Sequence, residues 1–224
     1  MSPDEDTSYF AQGRDDLVSF ILPHVGARGR ALDIGCAEGR LGLQLKQAGF
    51  AEVWGVDPHP IAAARAVGVL DAVVEGTFPE CLPDLNGLFD VVVMADSLEH
   101  MVDPWRALRA VRSVLAPGGV LALSVPNVSH LSVALKLLRG RWDYADSGHL
   151  DRTHVRFFTP SSLRSTLASE GYEVDVFEPS HSPRRWFELP AVWLLSILAP
   201  HMLVFQMYVI ARAAEPAATR RAVA

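Results

Sequence analysis

Residues 31–42, Ala-Leu-Asp-Ile-Gly-Cys-Ala-Glu-Gly-Arg-Leu-Gly, constrain the fold of this chain more than any other segment. An apolar run from Arg30 to Ile34 carries one acid, Asp33, near its end. It breaks into a small-residue turn (Gly35, Cys36, Ala37, Gly39), and a helical pattern follows at Leu41, Leu43 and Leu45. Strand, tight loop and helix in that order form the first unit of a doubly wound sheet, whose ligands bind beyond the carboxyl ends of the strands. Glycine allows positive φ and close backbone approach to a ligand. An acid at that crossing can accept hydrogen bonds from a cation. The arrangement therefore suits a positively charged nucleoside better than a pyrophosphate.

Two phosphate-binding patterns are excluded. The dinucleotide fingerprint G-x-G-x-x-G fails at its second and third glycines, where Ala37 and Arg40 stand. No Gly-Lys-Ser or Gly-Lys-Thr of a P-loop occurs. What remains is Asp33-x-Gly35-x-x-x-Gly39, which a strand-turn-helix without any ligand could also carry.

The 224 residues suit one domain with a sizeable core. An apolar fraction of 50% and a charged fraction of 21% are those of a soluble globular chain. The net charge of −6 argues against general nucleic-acid binding. Acids dominate up to residue 135, whereas bases slightly outnumber acids beyond it. Arg139, Arg141, Arg152, Arg156, Arg184 and Arg185 lie in that second part. They form either a solvated face or a fork for an anionic group on a substrate. Cys36 and Cys81 make no disulfide framework and match no zinc spacing, which fits a reducing compartment. No carboxylate cluster has metal-ligand spacing, so no metal is expected. The acidic start, Met-Ser-Pro-Asp-Glu-Asp, is unlike a secretory signal.

Strands and helices alternate along the chain. A leading helix is expected over Asp15–Val25, the first strand over Arg30–Ile34 with its helix to Ala48, and a second strand over Glu52–Val56. A short Ala-rich helix to Val67, a third strand over Ala72–Val74 and a fourth over Phe89–Met94 follow. Asp103-Pro104 opens a helix to Leu115, stopped by Pro117-Gly118-Gly119; Val120–Val125 is the fifth strand. Then come a helix over Leu131–Leu138, a polar stretch from Arg139 to Thr159, a helix over Pro160–Glu170 and a strand over Tyr172–Phe177. The apolar stretch from Val192 to Ile210 is long enough to raise a membrane span, but Pro200-His201 interrupts it. A helix over Pro190–Ala199 and a final strand over Leu203–Ala211 explain it, with the helix touching a membrane surface or an apolar substrate.

From about Tyr9 to Ala211 the chain resembles the class I S-adenosylmethionine-dependent methyltransferases. Leu32-Asp33-Ile34-Gly35-Cys36-Ala37-Glu38-Gly39 looks like that family's first motif and Trp54-Gly55-Val56-Asp57 like its second. Phe89–Met94 followed by Leu98-Glu99-His100-Met101-x-Asp103-Pro104 resembles the ubiquinone-biosynthesis-like branch. Leu115-Ala116-Pro117-Gly118-Gly119 resembles the turn before strand five. The resemblance implies an α/β, Rossmann-like seven-stranded sheet, mostly parallel with an antiparallel last strand. It implies one domain over 1–212, a substrate-pocket insert at about 126–160, an apolar insert at about 180–200 and a tail over 213–224. Two departures stand out: Ala37 replaces the middle glycine, and Gly76-Thr77 replaces the Gly-Asp often found near the adenine. A narrower resemblance covers Pro126–His130, Arg139–Tyr144 and Leu150–Thr159, which look like methyltransferases of glycan and cell-surface polysaccharide pathways; Pro126–Arg141 also resembles methionine-biosynthesis accessory proteins.

The expected cofactor is S-adenosyl-L-methionine. Asp33 would take its amino-acid end, Gly35, Cys36, Ala37 and Gly39 the loop beside it, and Asp57 with Pro58 the ribose. Gly76 and Thr77 would lie near the adenine; Asp96, Ser97 and Leu98 would line the methyl region; Tyr9 and Arg14 would close over it. An acidic acceptor pair can take two ribose hydroxyls, although Asp57 could instead cap the next helix. His154, and after it His149 and His100, are candidates for a general base. Asn127, Tyr144, Asp151, Arg152 and Arg156 are candidates for substrate contact. The expected reaction is O-methylation of a sugar, glycan precursor or related small metabolite by a cytoplasmic, membrane-peripheral enzyme. The rivals are a non-catalytic accessory subunit of the same fold and a membrane-anchored protein.

Overall fold

The computed structural model describes residues 14–181 and 195–214. Seven strands form one sheet: β1 (Arg30–Ile34), β2 (Glu52–Asp57), β3 (Ala72–Glu75), β4 (Phe89–Ala95), β5 (Leu115–Pro126), β6 (Tyr172–His181) and β7 (Val204–Ala213). The helices are α1 (Asp15–Ile21), α2 (Arg40–Gln47), α3 (Pro60–Ala66), α4 (Pro104–Val114), α5 (Leu131–Leu138) and α6 (Pro160–Ser169). The strand order is β3-β2-β1-β4-β5-β7-β6. The first five strands pair in parallel, while β7 runs antiparallel to both β5 and β6. The expected antiparallel last strand is thus present, inserted between β5 and β6.

Side-chain alternation sorts the core into two layers. Ala31, Val53, Val91, Val93, Val120 and Ala122 pack against Leu17 and Ile21 of α1 and Leu41 and Leu45 of α2. Leu32, Val92, Met94, Leu121 and Leu123 pack on the other face, against Leu108 and Val111 of α4 and Leu163 and Leu167 of α6. Strands buried on both faces must be apolar almost throughout, which is why β4 and β5 read so clearly. By the same alternation Asp33 shares a face with Ala31, and Asp57 with Val53. Both acids therefore end neighbouring strands on the α1 and α2 side. The strand order reverses between β1 and β4, which places the ligand-binding crevice at their carboxyl ends.

Element starts follow local chemistry. Asp103 accepts the Arg106 N–H at 2.9 Å to cap α4, with Pro104 in the first turn. Thr159 and Ser162 form a reciprocal capping box on α6. Several boundaries differ from expectation. Pro23 turns the end of the leading helix into a 3₁₀ turn over Leu22–His24. Leu115 already pairs with Phe89, so Pro117-Gly118-Gly119 is a bulged stretch inside β5 rather than a break before it. β7 also continues to Ala213, one residue into the stretch read as tail. No helix among the described residues is long and apolar enough to cross a membrane. Tyr9, Arg184, Arg185 and the first half of the Pro190–Ala199 helix, residues 190–194, lie outside the described residues.

Candidate cofactor and acceptor site

The turn after β1 is held by its own backbone. Gly35 and Cys36 N–H both donate to the Val56 carbonyl, at 2.8 and 3.1 Å, and Gly39 N–H donates to the Cys36 carbonyl at 2.8 Å. Ala37 N–H donates to Asp57 Oδ2 at 2.8 Å. Four amides that could have cradled a phosphate are thereby used. This is the physical reason the loop is not a pyrophosphate site. Gly35 and Gly39 both have φ of 82°. Ala37, at φ 47°, occupies the left-handed region that the usual glycine would take freely, a strain of about 1 kcal/mol.

Asp57 is the clip between this loop and the turn after β2. Its Oδ1 accepts from His59 N–H at 2.9 Å while Oδ2 holds Ala37. It does not cap α3; the His59 ring does, accepting from Ala62 N–H. Each carboxylate oxygen can still accept a second hydrogen bond, so both remain able to take a hydroxyl. Gly76 N–H donates to the Asp57 carbonyl at 3.0 Å, which ties the end of β3 to the end of β2. Pro58 and Thr77 are exposed beside that junction.

Asp33 is buried, and its Oδ2 has no hydrogen-bond partner among the described residues. Burial, and then the charge of Asp57, push its pKa up to about 7, against an opposing pull from Arg14. Arg14, at the start of α1, pairs with Asp96 and also contacts Asp16, at 3.4 Å. Its Nη2 is likewise buried without a partner. Asp96 sits at φ 49° just past β4, accepts from Gln206, and has its carboxyl pKa raised by burial against the pull of Arg14. A non-glycine residue in that conformation just beyond a central strand is a mark of functional sites. One orphaned carboxyl oxygen and one orphaned guanidinium nitrogen stand at the same crevice. An α-amino acid zwitterion supplies the complement of both.

The structure corrects one cofactor assignment: Leu98 packs wholly into the α4-side core. Its position after a strand was legible, but not the direction in which its side chain points. Cys36 enters the loop through its backbone, and its side chain packs into the α1 and α2-side core. Ser97 stays at the crevice, its Oγ unpartnered and its Cβ 3.0 Å from where a Cβ on Gly35 would stand.

The insert after β5 folds over the tip of β4. Val155 and Arg156 N–H both donate to the Glu99 carbonyl at 3.0 Å. This brings His154 Nε2 to 3.9 Å from Glu99 Oε1 and its ring to 4.8 Å from that of His100. Both Glu99 carboxylate oxygens are buried without partners, and burial, then Asp96, raise its pKa well above the usual range. Donor atoms of Glu99, His100 and His154 all lie within 4.8 Å of one another. These three could hold a cation, a grouping that sequence spacing did not show because 55 residues separate its parts.

Other insert residues have internal duties. Asn127 is fully buried and saturated: Nδ2 donates to the His201 and Val204 carbonyls, and Oδ1 accepts from Ser129 N–H and Oγ. It braces the insert and does not reach substrate. Asp151 Oδ1 is taken by Thr153 N–H and Oγ1, Arg152 pairs with Asp146, and Arg156 donates to the Val102 carbonyl while lying 5.7 Å over the Trp105 ring. Tyr144 is exposed and shows no such tie among the described residues. His149 Nε2 donates to the Phe205 carbonyl at 3.0 Å, and its ring stacks on His130 with 5.1 Å between centroids.

That stack predicts acid lability. Burial, then His149, lower the His130 pKa from 6.5 to about 4, and burial lowers that of His149. Between those two values the unfolded chain binds the proton and the folded chain does not, so stability falls as pH falls. Neutral His130 also accepts the Ser132 N–H that caps α5, which its protonated form cannot do. The melting temperature should drop between pH 6.5 and 4.5, and His130→Asn, which keeps a cap, should reduce the drop.

Comparison with known proteins identifies the family. Residues 6–176 match the family model described as a methyltransferase domain. The chain is 32% identical over 165 residues to a ubiquinone biosynthesis O-methyltransferase of Azorhizobium caulinodans, covering 67% of this chain and 63% of that one. It is 31% identical over 174 residues to the ubiquinone biosynthesis O-methyltransferase of Cereibacter sphaeroides, covering 75% and 68%. The match to the first of these thus spans less than two thirds of the relative's length. Among solved structures, a SAM-dependent methyltransferase from Archaeoglobus fulgidus superposes with a TM-score of 0.64 at 19% identity, covering 92% of this chain and 96% of that one. With the sheet order, the loop and the two strand-tip acids, these matches mean that the chain belongs to the class I S-adenosylmethionine-dependent methyltransferases.

Proposed function

We propose that this chain methylates a hydroxyl oxygen on a ring of a small, largely apolar metabolite. S-adenosyl-L-methionine, when bound, supplies a methyl carbon made electrophilic by the positive sulfur. Asp33 and Arg14 would hold its amino-acid end, Asp57 its ribose, and Ser97 and Asp96 the wall near the reacting carbon. His154 is the base for the acceptor hydroxyl. Its Nδ1 donates to the His149 carbonyl at 3.4 Å, which leaves the Nε2 lone pair facing Glu99. Burial, then the neighbouring His100, keep the ring neutral by lowering its pKa. Much of the rate comes from holding the hydroxyl in line with the carbon that it attacks.

The observation that carries this reading is the orphaned pair, Asp33 Oδ2 and Arg14 Nη2. It also argues against the non-catalytic subunit, which needs no such pair of buried unpartnered groups. The sugar or glycan acceptor suggested by the insert's motifs is less well supported than a ring hydroxyl. The polar groups meant for a polyol, Tyr144 apart, are engaged within the protein, whereas the Trp142–Phe157 ring pair stands in the insert and the His149 ring meets Phe205 of β7. The relatives named as ubiquinone biosynthesis O-methyltransferases support oxygen as the accepting atom.

Turnover should be measured on sugars, a nucleotide sugar and dihydroxylated aromatic rings, with and without chelator. Aromatic hydroxyls should be preferred. His154→Ala should lower turnover about 10²- to 10⁴-fold at unchanged S-adenosylhomocysteine affinity. An unchanged rate removes His154 from the mechanism, and a preference for sugars restores the glycan reading.

A further inference from the structure

We propose that α5 and the neighbouring segment 195–205 form a docking face for an anionic lipid surface, beside the acceptor insert. Helix α5, Leu-Ser-Val-Ala-Leu-Lys-Leu-Leu, buries only Val133. Leu137 is 52% and Leu138 83% exposed, and Leu135 is exposed beside them. In the second segment, Ile197 is 58% and Leu198 73% exposed, and Phe205 is exposed as well. Single exposed apolar side chains are ordinary, but six large ones on two adjoining segments mark an interaction surface.

The start of α5 is tied to the end of the second segment. Asn127 Nδ2 reaches the His201 and Val204 carbonyls at 2.8 and 2.7 Å, just before α5 begins. The Phe205 ring meets His130, the cap of α5, at 5.5 Å and His149 at 4.4 Å. The face is therefore continuous with the wall of the acceptor insert. An apolar acceptor leaving a membrane would meet His149 and His154 directly behind it.

Charge decides which partner fits. Lys136, Arg139 and Arg141 lie in or just after α5; residues 131–142 hold no acid, and of the three cations Arg141 pairs with Asp143, at 2.7 Å. A helix with leucines and a cluster of Lys and Arg is suited to lie in the interface of an anionic bilayer. A second copy of the chain is a poor occupant. A two-fold contact sets the same patch against itself, and so sets these cations against their own counterparts.

The test uses the full chain and extruded vesicles, either of phosphatidylcholine alone or with about one third phosphatidylglycerol. The parent chain should sediment with the anionic vesicles and much less with the neutral ones, and added salt should weaken the association. Leu137→Glu combined with Leu138→Glu should weaken it about a hundredfold, and Lys136→Glu about fivefold. Both positions of the double variant are exposed, and its S-adenosylhomocysteine affinity should equal that of the parent. That affinity reports on the fold and the cofactor site independently of lipid, so loss of the methyltransferase reading and loss of the docking reading are separable. Equal vesicle binding by parent and double variant overturns the proposal, as does a parent chain that ignores both vesicle types. A concentration-dependent dimer abolished by the double variant would assign the face to a second copy and overturn it too.

Discussion

Asp57→Ala is expected to bind S-adenosylhomocysteine about a hundredfold more weakly than the parent chain, because two charge-assisted hydrogen bonds to ribose hydroxyls are lost together. The same substitution should also lower stability. Ala37 N–H, now bonded to Oδ2 at 2.8 Å and half-buried, loses its acceptor, at a cost of about 1–2 kcal/mol. His59 N–H, on an exposed turn, can turn to water instead. Calorimetry and thermal unfolding on one preparation separate the two duties. Weaker binding with a lower melting temperature is the expected pair. A lower melting temperature at unchanged affinity would reduce Asp57 to a loop clip and remove its ribose role. Asp57→Asn keeps one acceptor oxygen and should fall between parent and alanine variant in both measurements.

The contrast between what the sequence revealed and what it hid follows from the range of the interactions. Strand β4 is buried on both faces, so its seven residues are apolar but for Asp90 and stand out in any reading. The loop after β1 is legible because its positive-φ positions call for glycine and its acid interrupts an apolar run. Local composition carries both signals. It does not carry the direction of a side chain just past a strand, where alternation has ended. Leu98 was misread for that reason. Nor does it carry pairings between distant segments. Arg14 meets Asp96 across 82 residues, and Gln206 reaches the same carboxyl across 110. Asn127 was misread in a related way. A polar side chain following a central strand suits substrate binding or a brace equally well, and only its four filled hydrogen bonds distinguish the two.

The pH dependence of cofactor binding should expose Asp33 directly. In the free protein its carboxyl titrates at about 7, against 3.8 in an open chain, first because it is buried and then because Asp57 is near. Between those values the folded chain holds a proton that the unfolded chain has released. Stability of the free protein therefore falls as pH rises through that window and is level above it. Binding runs the opposite way. A ligand ammonium favours the ionised carboxylate, so the complex must shed the proton that the free protein carries. Affinity for S-adenosylhomocysteine should rise about tenfold per pH unit up to 7 and flatten beyond. Calorimetry in two buffers of different ionisation enthalpy, at pH 6 and at pH 8, should find close to one proton released at the lower value and almost none at the higher. Asp33→Asn should abolish that difference and leave weak, pH-independent binding, with Asp57 still holding the ribose. A parent chain whose affinity is flat between pH 5.5 and 8 would mean that the buried acid never meets the ligand's cation, and the zwitterion assignment to Asp33 and Arg14 would fall with it.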